Sequence, residues 1–185
     1  MNEKKLPTIK EVFDLALHNH QKNNLKAAEK LYKQILKIKS DHFGSTFYLG
    51  SLSIQTKNFD RAKQLLQRAI QIQPNHVAAH NNLGTVFQEL GEREKAKSCY
   101  EKAIQIDPNY ATTNSNLGKI LGELNHVNEA KKYFEKSLNL DPNREKTCED
   151  YGDLLLKLNQ HKKALEYFKK GTGFIQFTQK DFKII

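Results

Sequence analysis

The stretch 77–110, VAAHNNLGTVFQELGEREKAKSCYEKAIQIDPNY, is followed at once by 111–144, ATTNSNLGKILGELNHVNEAKKYFEKSLNLDPNR, and the two align without a gap. Asn82-Leu83-Gly84 falls on Asn116-Leu117-Gly118, Ala96 on Ala130, Tyr100 on Phe134, and Asp107-Pro108-Asn109 on Asp141-Pro142-Asn143. The same spacing of 34 residues runs outward in both directions. Leu49-Gly50 and Tyr151-Gly152 continue the first series; Ala28, Ala62 and Ala164 continue the second; Tyr32, Leu66 and Phe168 continue the third; Pro74 precedes Pro108. A fixed period of this length marks a stack of one supersecondary unit, each copy burying the apolar face its neighbour cannot bury alone. Five units result, at 9–42, 43–76, 77–110, 111–144 and 145–178, forming one domain with a lead-in at 1–8 and an apolar tail at 179–185.

Each unit reads as two helices. In 77–110 a first helix runs from Val77 to Leu90 and a second from Glu92 to Ile106. Gly91 suits the left-handed residue that follows a helix end, and Pro108 cannot continue the helix before it. Ala96, Cys99, Tyr100, Ala103, Ile104 and Ile106 follow the helical apolar period, while Lys95, Lys97, Glu101 and Lys102 fall outside it. The small side chains of Gly84 and Ala96 allow the paired helices to approach closely. Thr8 followed by Glu11 is a capping-box pattern for the first helix.

Composition narrows the function classes. Of 185 residues 30 are basic and 21 acidic, giving +9; 38% are hydrophobic and 28% charged, with 9 Gly, 4 Pro and no Trp. These values exclude collagen-like, disulfide-scaffold and low-complexity chains. No apolar run approaches the ~20 residues that cross a bilayer, and the opening Met-Asn-Glu-Lys-Lys-Leu-Pro-Thr has no apolar stretch of the kind a secretory signal carries. Cys99 and Cys148 read as reduced thiols of a cytoplasmic protein. The basic excess is mostly lysine, since Arg61, Arg68, Arg93 and Arg144 are the only arginines, so it reflects compositional bias as readily as a partner.

The aligned Leu-Gly pairs, alanines, aromatics and Asp-Pro-Asn turns resemble the tetratricopeptide repeat (TPR) family, as in bacterial TPR proteins. The resemblance implies an all-α fold, a right-handed α-solenoid of helix–turn–helix units whose first helices line a concave groove for peptides or partner segments. The first unit departs from the family pattern at Ala16, Ile35 and Ser40, and the fifth at Gly171 and Gln176. The family's fourth-position Trp is replaced throughout, by Val12, Thr46, His80, Asn114 and Cys148. The family's groove positions fall on Asp14, Tyr48, Asn82, Asn116 and Asp150, and one turn on, Leu17, Ser51, Thr85, Lys119 and Asp153. Asn82 and Asn116 resemble the asparagine ladder in the TPR region of O-GlcNAc transferase-like proteins, which implies neighbouring amides that hold peptide backbone. The carboxylate clamp of chaperone-binding members is missing, because Thr112 and Asn116 stand where Lys and Arg are required.

Little else in the sequence carries chemistry. There is no Gly-rich phosphate loop, HExxH, CxxC or GxSxG. His76 and His80 have metal-ligand spacing on one helix but no third ligand nearby, and Cys99 sits on an apolar face. The expected function is therefore a non-catalytic scaffold that binds a protein or peptide through Tyr48, Asn82, Thr85, Asn116, Lys119 and Asp150, with Phe47 and Lys146 as neighbours. No cofactor, metal, nucleic acid or membrane enters that expectation. The alternative is the substrate-recognition part of a larger or associated transferase or oxygenase. Lys22, Lys26, Lys30, Lys33 and Lys37 step by 4, 4, 3 and 4, which places a basic strip on the first unit's second helix. Phe174, Ile175, Phe177, Phe182, Ile184 and Ile185 are expected to fold back as a strand-like cap or to join a second chain.

Overall fold

Backbone hydrogen bonding closes the chain into helices joined by short links. The first unit of the computed structural model holds α1 (Ile9–Gln21), α2 (Leu25–Ile38), α3 (Phe43–Gln55), α4 (Phe59–Ile72) and α5 (Val77–Glu89). The second holds α6 (Arg93–Ile106), α7 (Ala111–Glu123), α8 (Val127–Leu140), α9 (Glu145–Lys157) and α10 (His161–Thr172). The two compact units, Met1–Gly91 and Glu92–Ile185, divide at the turn inside the third repeat. Residues 6–172 are described in full, with the backbone of 175–177 and 182–184. There β1 (Ile175–Phe177) and β2 (Phe182–Ile184) pair antiparallel, Ile175 opposite Ile184. The tail's strand thus begins inside the stretch assigned to the fifth repeat. Phe174, Ile185 and the side chains an apolar cap would use lie outside the described residues, as do residues 1–5.

The link inside each repeat has one conformation. Asn23, Lys57, Gly91, Asn125 and Asn159 all have positive φ, between 56° and 76°. The amide of Asn23 donates to the carbonyl of His20 and that of Asn24 to Asn19, the paired bonds of a Schellman ending. Asn58 to Ser53, His126 to Leu121 and Gln160 to Leu155 repeat the longer bond. The links between repeats are extended instead: Gln73, Asp107 and Asp141 have φ between −141° and −132° and each precedes a proline, which disfavours the helical region. Lys39 precedes Ser40 rather than proline, yet it adopts φ −131°, so packing holds the bend without the ring. At the start of α1 the expected capping box is present, with Thr8 accepting from the Glu11 amide and the Glu11 carboxylate accepting from the Thr8 amide.

Packing within the second, fourth and fifth repeats depends on a missing side chain. A Cβ on Gly152 would lie 2.5 Å from the Phe168 ring, one on Gly118 3.0 Å from Phe134, and one on Gly50 2.9 Å from Leu66. The second helix therefore lays a large residue directly on the backbone of the first. Tyr32, Leu66, Tyr100, Phe134 and Phe168 are all buried, as are Ala28, Ala62, Ala96, Ala130 and Ala164 one helical turn before them.

Several polar groups in this core bond to backbone or to one another, although Asn114 Oδ1 and Arg144 Nε are buried without a partner among the described residues. His80 Nε2 lies 2.8 Å from the carbonyl of Pro74, and Asn114 Nδ2 donates to that of Pro108 at 3.1 Å. Both stand where the family places Trp, and both satisfy the carbonyl of the preceding bend. In the second unit Thr147 of α9 donates to Ser115 of α7 at 2.9 Å and lies 3.3 Å from Ser137 of α8. Ser137 in turn donates to the Ala111 carbonyl at 2.9 Å.

Two substitutions test this account. Lys57→Gly should raise stability by roughly 0.5–1 kcal/mol, the left-handed cost of ~1–2 kcal/mol less the entropy glycine loses on folding. An upward shift of the urea midpoint reads it. Gly152→Ala should cost ~1–3 kcal/mol through overpacking on Phe168, read as a downward shift in the same assay.

Candidate functional site

In the first unit the expected groove residues come from α1, α3 and α5. Ser51 of α3 and Asn82 of α5 meet directly: Asn82 Nδ2 donates to Ser51 Oγ at 3.2 Å, while Asn82 Oδ1 accepts from Asn81 Nδ2 at 3.4 Å. Ser51 passes its own proton to the Phe47 carbonyl, and Thr85 passes its proton to the Asn81 carbonyl, each at 3.2 Å. Asn82 is thus half-buried and held in one orientation. It also ties two helices together, a role its spacing alone does not reveal.

Tyr48 stands in an aromatic cluster. Its ring stacks on Tyr32 at 6.0 Å and 11°, and meets Phe13 at 5.9 Å, Phe47 at 5.1 Å and His20 at 6.0 Å. Phe47 is buried, so its position serves packing. Burial pushes the Tyr32 phenol well above its ordinary range and keeps it neutral. Tyr48, Ser51, Leu17, His20, Leu25 and Gln55 line an open depression of about 830 Å³. His20 and Gln55 were absent from the sequence-derived set; they enter because His20 bridges the Tyr32 hydroxyl at 3.4 Å and Gln55 Oε1 at 3.3 Å. No motif marks that contact, since the three residues lie on three different helices.

The corresponding surface of the second unit is charged. Asp150 of α9, whose side chain is 11% exposed, receives Lys146 at 3.3 Å and Lys119 of α7 at 3.7 Å. Glu149 also pairs with Lys146, at 3.2 Å, so these two acids are engaged rather than simply solvated. Burial opposes the charge on Lys146, but Asp150 and Glu149 outweigh it and lift the ammonium above its usual range. Burial, and then the Asp150 charge, raise the Asp153 carboxyl. Lys119, Phe134, Asp150, Asp153 and Leu154 line a cavity of about 80 Å³. Asn116 is half-buried on α7, one turn before Lys119.

The remaining reactive side chains are tied up in the fold. His76 Nδ1 accepts from the Ala79 amide at 3.2 Å, and the His80 ring is committed to Pro74. Burial pushes the Cys99 thiol up to about 11 and raises that of Cys148, which keeps both protonated and poor nucleophiles. The basic strip is shorter than its spacing suggests. Lys26, Lys30, Lys33 and Lys37 lie on α2, but Lys22 is the C-cap of α1, because the left-handed turn at Asn23 separates the two helices. Lys33 is also drawn to Glu29 at 2.8 Å, which Arg61 of α4 contacts at 2.7 Å.

Ser51→Ala should cost about 0.5–1.5 kcal/mol by leaving the Asn82 donor without its partner. In a double-mutant cycle with Asn82→Ala, measured by urea unfolding, the two losses should be less than additive.

Tetratricopeptide repeat models match residues 19–83, 77–110, 111–144 and 146–174. No curated protein sequence matches the chain significantly. Among solved structures, PilF of Pseudomonas aeruginosa superposes with a TM-score of 0.79 at 23% identity, over 89% of this chain and 75% of that one. MamA of Desulfovibrio magneticus RS-1 gives 0.76 at 18%, over 89% and 93%. YrrB, described as a TPR protein with an unusual peptide-binding site, gives 0.70 at 19%, over 90% and 86%. At these identities the likeness is one of fold.

Proposed function

This chain belongs to the tetratricopeptide repeat family, and from that premise we propose that it is a non-catalytic interaction scaffold binding an extended peptide or partner segment in the concave groove of its repeats. The observation that carries the proposal is the orientation of Asn82. Its amide is half-buried and pinned by Ser51 and Asn81. Those bonds use one of its two N–H donors and one of its two lone pairs. One donor and one acceptor then remain to match the N–H and C=O of a peptide unit, and the ordering cost has been met during folding. Asn116 is the corresponding residue of α7. Support also comes from YrrB, a structural neighbour described as having a peptide-binding site.

Backbone contacts are indifferent to side chains, so selectivity falls to the surroundings. In the first unit these are Tyr48, Thr85 and the open depression beside Leu17 and Leu25. In the second they are Lys119, Asp150 and Asp153. The first set suits an apolar or aromatic residue of a bound segment, and the second a basic one.

The test is selection of peptides from a displayed library by the purified chain, followed by calorimetry on the best of them. Asn82→Ala with Asn116→Ala should weaken binding by about 1–3 kcal/mol in total, at ~0.5–1.5 kcal/mol per net hydrogen bond. Circular dichroism should show the helices retained. Affinity equal to wild type in a folded double variant, or a library that yields no binder, would overturn the proposal.

A further inference from the structure

The N-caps of α3 and α5 are both histidines, His42 and His76. His42 Nδ1 accepts from the Ser45 amide at 3.1 Å and lies 2.9 Å from the Ser45 hydroxyl. His76 Nδ1 accepts from the Ala79 amide at 3.2 Å. The same repeat position in the second unit holds Tyr110 at α7 and Arg144 at α9, neither of which makes a side-chain cap bond. A ring nitrogen accepts only while it carries no proton. Protonation would therefore remove the bond and also set a positive charge at the positive end of the helix dipole.

The surroundings reinforce the neutral form. The His42 ring meets Phe13 of α1 edge-on at 5.0 Å, and the charged groups beside it are Lys39 and Asp41 of the preceding link. Burial, then the Lys39 charge, hold His42 below the usual imidazole range, with Asp41 acting in the opposite sense. The His76 ring sits against Phe43 and Phe47 of α3, at 4.6 and 5.0 Å, and its titratable neighbour is His80 on α5 itself. Burial, then His80, lower His76 as well. The folded state thus binds fewer protons at these rings than the unfolded chain, whose histidines titrate near ~6.5. Their stabilisation is complete above that pH and declines as pH falls toward the lowered folded-state values.

We propose that His42 and His76 make the first unit acid-sensitive: mild acid opens both caps and loosens the N-terminal turns of α3 and α5, while α7 and α9, which have no side-chain cap to lose, keep theirs. Since α3 carries Tyr48 and Ser51 and α5 carries Asn82 and Thr85, the device would regulate the first unit's share of the groove; that consequence alone rests on the function proposed above.

The experiment is hydrogen exchange read by mass spectrometry on the full chain at pH 7.5 and 5.5, with intrinsic exchange rates corrected. Protection over the first turns of α3 and α5 should fall by about five- to tenfold at the lower pH, and that of α7 and α9 by less than about twofold. Asparagine caps helices at any pH, so His42→Asn with His76→Asn should abolish the difference between the two pH values. Should the double variant fail to fold, each single replacement should flatten the response of its own helix only. Equal loss across α3, α5, α7 and α9 in the wild type would overturn the proposal. So would asparagine variants that keep the full pH response. No ligand enters the measurement, so its outcome is independent of peptide binding.

Discussion

The contact between a bare stretch of first-helix backbone and a large second-helix side chain governs the rest of the structure. Where Gly50, Gly118 and Gly152 lie against Leu66, Phe134 and Phe168, no atom can be added without displacing the partner. That contact fixes the separation of the paired helices. The separation in turn leaves room for only a three-residue link, and a link that short reverses direction through one left-handed residue. The first repeat keeps the same left-handed link at Asn23 with Ala16 in the glycine's place, so the approach there accommodates a methyl group.

Much of this is legible in the sequence because the determinants are local and recur. The Leu-Gly pairs, the alanines and the aromatics are each explained by one packing position, and alignment at 34 residues exposes them together. Gly91 announces its turn. The equivalent Asn23, Asn125 and Asn159 carry the same signal more weakly, since asparagine tolerates the left-handed region, while Lys57 carries none. The bend at Lys39 shows the converse: its conformation matches the proline-bearing links although nothing local demands it. Local chemistry proposes these conformations and packing enforces them where the chemistry is silent.

The surface was less legible, because its geometry depends on residues from different helices meeting. Spacing places Asn82 and Asp150 on the first helices of their repeats, but it does not show that Ser51 orients the first or that Lys119 and Lys146 converge on the second. It also ran Lys22 into a strip that the turn at Asn23 breaks. Of Trp's substitutes, His80 looks like a candidate ligand in one dimension, and Asn114 stands at the same repeat position. In three they supply hydrogen bonds to the preceding bends, so a residue of apparent chemical interest becomes part of the scaffold.

The buried hydroxyl chain of Ser115, Thr147 and Ser137 has a consequence for assembly. Repeats this similar offer a folding chain many near-equivalent partners, and apolar faces alone distinguish poorly among them. Ser137 occupies the position held by Ala69 and Ala103 in the repeats before it. If α9 docked against α4, Thr147 would meet the methyl group of Ala69 in place of that hydroxyl and Phe47 in place of its acceptor Ser115. An unpaired buried hydroxyl costs about 1–3 kcal/mol, enough to shift an equilibrium between pairings by one to two orders of magnitude. A few oxygens in an otherwise interchangeable interior thus act as an address, telling the last repeats which neighbour is theirs.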